Sequence, residues 1–177
     1  MSYKQKYQKY KLKYLSLKYQ KGGNGIEYVK YNSDKHLKNV IKLDMEVFKE
    51  QYEKGIFKKK ETEKEYLKYN GHVAFLNDKI VGFILYNMDP QYKNPEYQTN
   101  TWYFSGFGVS PDHQGKGIGK QLLNLMIADA GNNITLITRP LGDQEYLVKM
   151  YEKVGFKLVP DTKNKLGSSL MIRKAHK

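Results

Sequence analysis

The sequence predicts an α/β fold, a mixed central sheet of about seven strands flanked by about four helices. Two short alternating runs joined by Asn77-Asp78-Lys79 read as a hairpin, and a further strand-like segment follows them. From residue 101 to 159, strand and helix periods alternate in a βαβαβ order, which needs helices over both faces of a sheet. The stretch 107–126, FGVSPDHQGKGIGKQLLNLM, joins the two halves: an apolar strand runs through a glycine-rich turn into an amphipathic helix.

Residues 26–31 alternate as a strand, and Asn32-Ser33-Asp34 offers a helix cap. Apolar positions Leu37, Val40, Ile41, Leu43, Val47 and Phe48 mark one amphipathic helix over 37–52, broken at Gly55. The charged segment 58–69 reads as a second short helix ended by Asn70-Gly71. The hairpin strands are 72–76 and 80–86, residues 89–100 form a polar loop with two prolines, and 101–109 is a third strand. A helix over about 117–130 follows, then a turn at Gly131-Asn132 and a strand over 134–138. In 143–154, Tyr146, Leu147, Met150, Tyr151 and Val154 share one helical stripe, with Gly155 as its cap. Strands at 156–159 and 170–172, joined by a loop over 160–167, complete the sheet.

The chain of 177 residues suffices for one ordinary domain, expected over 26–177. Ahead of it lies a low-complexity tail over 1–25 that ends in Gly22-Gly23-Asn24-Gly25, a linker. The net charge is +13, and the first 21 residues hold seven lysines and no acid. Tyr3, Tyr7, Tyr10, Tyr14 and Leu17 recur at heptad spacing there. Three readings stay open: a solubilising tail, a targeting, packaging or anion-docking segment, or a self-associating helix. Arginine, the usual reader of phosphates and bases, occurs only at Arg139 and Arg173, so nucleic acid is expected at most through the tail. With no cysteine, disulfides, thiolate metal sites and a cysteine nucleophile are excluded. No run has the length of a membrane span and no apolar leader is present, which predicts an intracellular protein. Asn133-Ile134-Thr135 then reads as the start of a strand rather than a glycosylation site.

The glycine loop has the features of an anion cradle: close backbone approach at glycine and unpartnered N–H groups at a helix start. Two nucleotide loops do not fit it. Gly115 to Gly119 is one residue short of a P-loop, and Gln121 follows Lys120 where a hydroxyl should hold Mg²⁺. Gly115, Gly117 and Gly119 give G-x-G-x-G, not the dinucleotide G-x-G-x-x-G. Gln114-x-x-Gly117-x-Gly119, placed after a strand ending in Val-x-Pro, resembles the acetyl-CoA loop of the GNAT N-acetyltransferase superfamily, [RQ]-x-x-G-x-[GA]. About 35 residues on, Lys149-Met150-Tyr151-Glu152-Lys153-Val154-Gly155-Phe156 is similar to that family's helix-to-strand signature, L-Y-x-K-x-G-F. The resemblance covers residues 26–173, and most strongly 101–156.

This resemblance implies transfer of an acetyl group from acetyl-CoA to a primary amine, small-molecule or peptide, by direct attack in a ternary complex without a metal. It implies that the N–H groups of Gln114, Gly115, Lys116, Gly117, Ile118 and Gly119 hold the CoA pyrophosphate, with Lys116 and Lys120 adding charge. It implies that Phe107, Gly108 and Val109 splay from the next strand and pair with the pantetheine arm, the N–H near Val109 facing the thioester carbonyl. Tyr151 is then the candidate general acid for the departing thiolate. Where many members carry a CoA-contacting Asn, this chain has Gln144. Where many carry a strand carboxylate, it has Ser105, so the base is open: water relayed through Tyr103 or Ser105, Glu46, Glu50, His72, or none.

The acceptor is expected over 37–69, where Asp44, Glu46, Glu50, Glu53, Glu61, Glu63 and Glu65 could attract a cation or simply be solvated. Trp102, Tyr103 and Tyr86 either line that cleft or pack the sheet. The alternative function is a non-catalytic acyl-CoA-binding domain with the tail as adaptor or packaging segment. A monomer or homodimer without a membrane partner is expected. The Lys-Tyr-Lys tail resembles, in composition, the N-termini of several giant DNA virus proteins, which implies a virus-encoded protein acting in host cytoplasm or virion.

Overall fold

The computed structural model describes residues 25–87, 101–131, 135–138, 145–163, 167 and 169–174. The basic tail, the polar loop 89–100 and the expected helix start at Asp143 lie outside these residues.

The chain enters through β1 (Glu27–Lys30) and continues into α1 (Ser33–Val47), α2 (Lys49–Glu53) and α3 (Lys59–Tyr66). The hairpin of β2 (Asn70–Leu76) and β3 (Lys79–Asn87) follows, then β4 (Thr101–Val109) and α4 (Ile118–Ala130). The last elements are β5 (Thr135–Thr138), α5 (Glu145–Glu152), β6 (Lys157–Leu158) and β7 (Met171–Arg173). One sheet holds seven strands in the order β1-β2-β3-β4-β5-β7-β6. Only β4 and β5 run parallel among the paired neighbours; the other pairs are antiparallel. The mixed sheet is therefore as expected, while the described helices number five rather than about four. The difference is a break at Phe48, whose φ of −110° and ψ of 32° end α1 and start α2. No described helix is long and apolar enough to cross a membrane.

Local chemistry accounts for the elements. The Asn32 side chain accepts the Lys35 N–H at 3.1 Å and Asp34 lies in the first turn, so both favour the N-terminus of α1. Asn77 and Asp78 take φ of 48° and 61°, the left-handed pair of a two-residue hairpin turn. Along β3, side chains alternate between two cores. Phe83 and Leu85 pack with Val40, Ile41 and Leu43 of α1, whereas Ile84 and Tyr86 join Leu122, Leu123, Leu125 and Met126 of α4. Each fully buried leucine contributes about 1.5–3 kcal/mol of transfer free energy.

A polar cluster ties the end of α4 to the sheet. Asp129 Oδ2 meets His72 Nε2 at 2.7 Å and accepts the Tyr86 hydroxyl at 2.5 Å, with Lys30 Nζ as a third partner. Burial pushes the Asp129 carboxyl up, but His72, Lys30 and Tyr86 overcome this and hold it well below the ordinary carboxylate range. The Tyr86 ring stacks on Trp102 at 4.8 Å. His72, Tyr86 and Trp102 thus serve this packing.

The parallel seam is short. β4 and β5 pair at Thr101–Thr135, Trp102–Leu136 and Tyr103–Ile137, and the Thr138 hydroxyl donates to the Phe104 carbonyl at 3.1 Å. Beyond Phe104 no described β5 residue pairs with β4, although β3 stays paired to it as far as Val109.

Candidate functional site

The splayed end of β4 opens into a cleft of about 1080 Å³. Its walls come from the C-terminal part of β4, the glycine loop, α4, the end of α1, α2, α3 and α5. Among the described residues, none on the β5 side continues the ladder there.

The glycine loop leaves β4 through Ser110 and a single 3₁₀ turn, Pro111–His113. Gly115 and Gly117 have φ of 75° and 80°, and a Cβ added at either would meet nothing within 4 Å. Backbone conformation, not crowding, therefore calls for glycine at both. Gly117 caps α4, whose first intrahelical bond runs from Gln121 N–H to Gly117 carbonyl at 3.0 Å. The N–H groups of Ile118, Gly119 and Lys120 have no acceptor within the helix and point out of its N-terminus. The Gln114 side chain donates to the Val109 carbonyl at 3.2 Å and so ties the loop to the strand end. Lys116 Nζ donates to the Asp112 carbonyl at 2.9 Å, which commits its ammonium to bracing the loop.

Strand geometry fixes where the Val109 N–H points. The next N–H, of Ser110, donates to the Val81 carbonyl on β3 at 2.9 Å. Successive N–H groups of a strand face opposite edges, so the Val109 N–H faces the open edge. Across the cleft, Tyr151 on α5 is 3% exposed. Its ring lies 5.6 Å from those of Phe104 and Phe156 and 6.2 Å from Phe107. Burial, with smaller contributions from Tyr146 and Tyr103, pushes its phenol far above the ordinary tyrosine value, so it is protonated throughout the neutral range.

Of the residues singled out in the sequence, Phe107, Gly108, Val109, Gln114, Gly115, Gly117, Ile118, Gly119, Lys120 and Tyr151 line this one cleft. Lys116 does not border it, and Gln144 lies outside the described residues. Among the base candidates, Tyr103 and Glu50 line the cleft and Ser105 lies in β4. Glu46 instead accepts the Ser110 hydroxyl at 3.0 Å, and His72 is held by Asp129.

The sequence placed Asp44 only among seven acids over 37–69 that could attract a cation, and it did not mark Tyr52, Tyr66 or His113. Asp44 is 1% exposed and borders the cleft. It accepts the Tyr52 hydroxyl at 2.5 Å and the Tyr66 hydroxyl at 2.8 Å. Burial raises its carboxyl above the usual range, and the two phenols work against that. A signal was present: Asp44 occupies the slot in the apolar stripe between Val40, Ile41 and Val47, where a buried partner is required. His113 borders the cleft, and its buried Nδ1 has no partner among the described residues.

Known proteins share this fold. The protein PH1933 of Pyrococcus horikoshii OT3 superposes with a TM-score of 0.67 and 26% identity over 86% of this chain and 99% of its own. The ribosomal-protein-S18-alanine N-acetyltransferase of Escherichia coli gives a TM-score of 0.65 and 15% identity, covering 86% of this chain and 95% of the enzyme. The PaiA N-acetyltransferase of Thermoplasma acidophilum, solved in complex with coenzyme A, gives 0.57 and 19% over 84% and 98%. A search of curated proteins gives no significant match. The sequence pattern of the acetyltransferase (GNAT) family matches residues 37–156, from α1 across the glycine loop to the end of the Tyr151 signature. With that match covering most of the sheet and every wall of the cleft, the chain belongs to the GNAT acetyltransferase family.

Proposed function

We propose that the chain is an acetyl-CoA-dependent N-acetyltransferase that acts on a primary amine in a ternary complex. The observation that carries this reading is the sharing of one cleft by the glycine loop, the open edge of β4 and the buried Tyr151.

The residues present fit acetyl-CoA. The left-handed glycines turn the loop so that backbone N–H groups from Gly115 to Gly119 lie at the start of α4, a place suited to a pyrophosphate, while the Gln114 N–H is taken by the Pro111 carbonyl at 3.3 Å. Lys120 adds positive charge at the cleft wall. The edge at Phe107, Gly108 and Val109, which no described strand covers, offers strand-type hydrogen bonds to an amide-bearing arm. Bound there, acetyl-CoA supplies the activated acetyl thioester. The Val109 N–H is aimed where charge would grow on the thioester oxygen. Tyr151, holding its proton, donates its hydroxyl hydrogen toward the leaving sulfur. A thiol titrates near 8.5, below this phenol, so the hydroxyl stabilises the growing thiolate by a strengthening hydrogen bond, and its proton passes only as a proton from the attacking nitrogen replaces it.

Thiol release from acetyl-CoA with a panel of polyamines, amino sugars, amino acids and peptides, read also by product mass, tests the proposal. Acetylated amine is the expected product. CoA binding with no turnover across the panel would favour an acyl-CoA-binding domain, and absence of CoA binding would overturn both readings.

A further inference from the structure

One wall of the cleft contains a buried carboxylate, Asp44, with no cation paired to it among the described residues. Both Asp44 oxygens are held by phenols, and among the described residues no lysine, arginine or histidine is paired with Asp44. Charged groups nearby on the same wall are already engaged: Lys49 with Glu53, and Glu50 with Lys54. Glu65 and Tyr103 also line the cleft, Glu63 acts on Tyr52, and Tyr69 acts on Tyr66. A carboxylate removed from water and left without a countercharge is costly, so its retention points to a cation that arrives from outside.

Its position relative to β4 is informative. A Cβ added at Gly106 would lie 2.8 Å from the Tyr66 hydroxyl. The Tyr66–Asp44 pair therefore abuts the strand three residues before Val109, and glycine at 106 makes room for it. On the other side of Asp44 an aromatic strip continues, with the Phe57 ring 5.7 Å from both Tyr52 and Phe48. Phe48 and Phe57 also border the cleft.

We propose that Asp44, held between Tyr52 and Tyr66, binds the ammonium head of an aliphatic primary amine, lays its carbon chain along Phe48 and Phe57, and takes its proton before attack. This assignment rests on the acetyltransferase reading above. The ammonium gives one proton to Asp44. The freed lone pair forms the C–N bond to the acetyl carbon while the C–S bond breaks. The nitrogen sheds a second proton, which reaches the thiolate by way of Tyr151, and Asp44 returns its own to solvent. The carboxylate absent at Ser105 is thus supplied from α1.

Butylamine is the probe. Asp44→Asn is expected to lower kcat/KM for butylamine at pH 7 by about 100-fold or more and to leave CoA binding unchanged. Calorimetric binding of butylamine to the protein without acetyl-CoA is expected to disappear. Tyr52→Phe removes a bond that holds the Asp44 carboxyl down, so the acidic limb of its kcat/KM profile moves to higher pH. Lost packing alone would not move that limb. Wild-type rates and an unchanged profile in Asp44→Asn, or an unmoved limb in Tyr52→Phe, would overturn the assignment. If Asp44→Asn does not fold, the Tyr52→Phe limb decides. A wild-type protein that binds CoA but acetylates no amine overturns the enzyme reading instead, before Asp44 is tested.

Discussion

Replacing Tyr151 by phenylalanine separates chemistry from packing. The ring is held by three aromatic neighbours, Phe104, Phe107 and Phe156, and phenylalanine keeps all three contacts. The hydroxyl draws on no hydrogen bond from a described residue; only burial and two neighbouring tyrosines act on it. The substitution therefore removes no net bond and buries no orphaned partner, so stability should change by less than about 1 kcal/mol. Loss of the ring would instead cost about 3–5 kcal/mol, which Tyr151→Ala would show. If the hydroxyl donates to the leaving sulfur, kcat should fall by about 10²–10⁴-fold. The dissociation constant for CoA should be close to wild type, because the glycine loop and the strand edge are untouched. Thermal melts, calorimetry with CoA and thiol release at saturating amine measure the three quantities on one sample. An unchanged kcat would remove Tyr151 from the chemistry. A fall in kcat accompanied by an equal loss of CoA affinity would make it a binding residue.

The other predictions concern positions the fold constrains. Gly106→Ala places a methyl group 2.8 Å from the Tyr66 hydroxyl and 3.2 Å from Leu85 Cβ, so overpacking should cost about 1–3 kcal/mol, read as a lower urea midpoint. Gly117→Ala forces a side chain into φ of 80°, a strain of about 1–2 kcal/mol. A loop that relaxes out of this turn should bind CoA about 5- to 30-fold more weakly by calorimetry. The depressed Asp129 carboxyl contributes stability that is complete above the unfolded carboxylate value, near pH 4, and is lost as pH falls toward the lower folded value. Urea midpoints between pH 6 and 3 should therefore fall less steeply in Asp129→Asn than in wild type; parallel curves would show that the cluster is not linked to acid stability.

Patterns of local origin were readable in the sequence. The stripe of Leu122, Leu123, Leu125 and Met126, the Asn77-Asp78 turn and the Asn32 cap all depend on neighbours within a few residues, and each stands where periodicity and turn chemistry put it. The break at Phe48 was not readable. Neither glycine nor proline marks it, and the apolar period runs through it without a gap. Long-range bonds accompany it: Tyr52 reaches back to Asp44 and sideways to Thr62, while Phe57 packs on Phe48. The site divides in the same way. The glycine loop is one contiguous motif, and the Tyr151 signature is another. The Asp44–Tyr66 bond joins residues separated by 22 positions, across a helix and a turn, so no window of sequence contains it. His72 shows the converse, since its partner Asp129 lies 57 positions away and gives an isolated histidine an architectural role.

The brevity of the β4–β5 seam has a consequence for how the molecule responds to a ligand. Among the described residues, three residue pairs and the Thr138–Phe104 bond join β5 and β7 to the rest of the sheet's backbone. Mechanically this is two ribbons riveted at one end, with a wedge-shaped gap at the other. A molecule that hydrogen-bonds along the open edge of β4 stands in for the missing strand. Occupancy then acts as a second rivet, converting a forked sheet into a continuous one and coupling the two ribbons' unfolding.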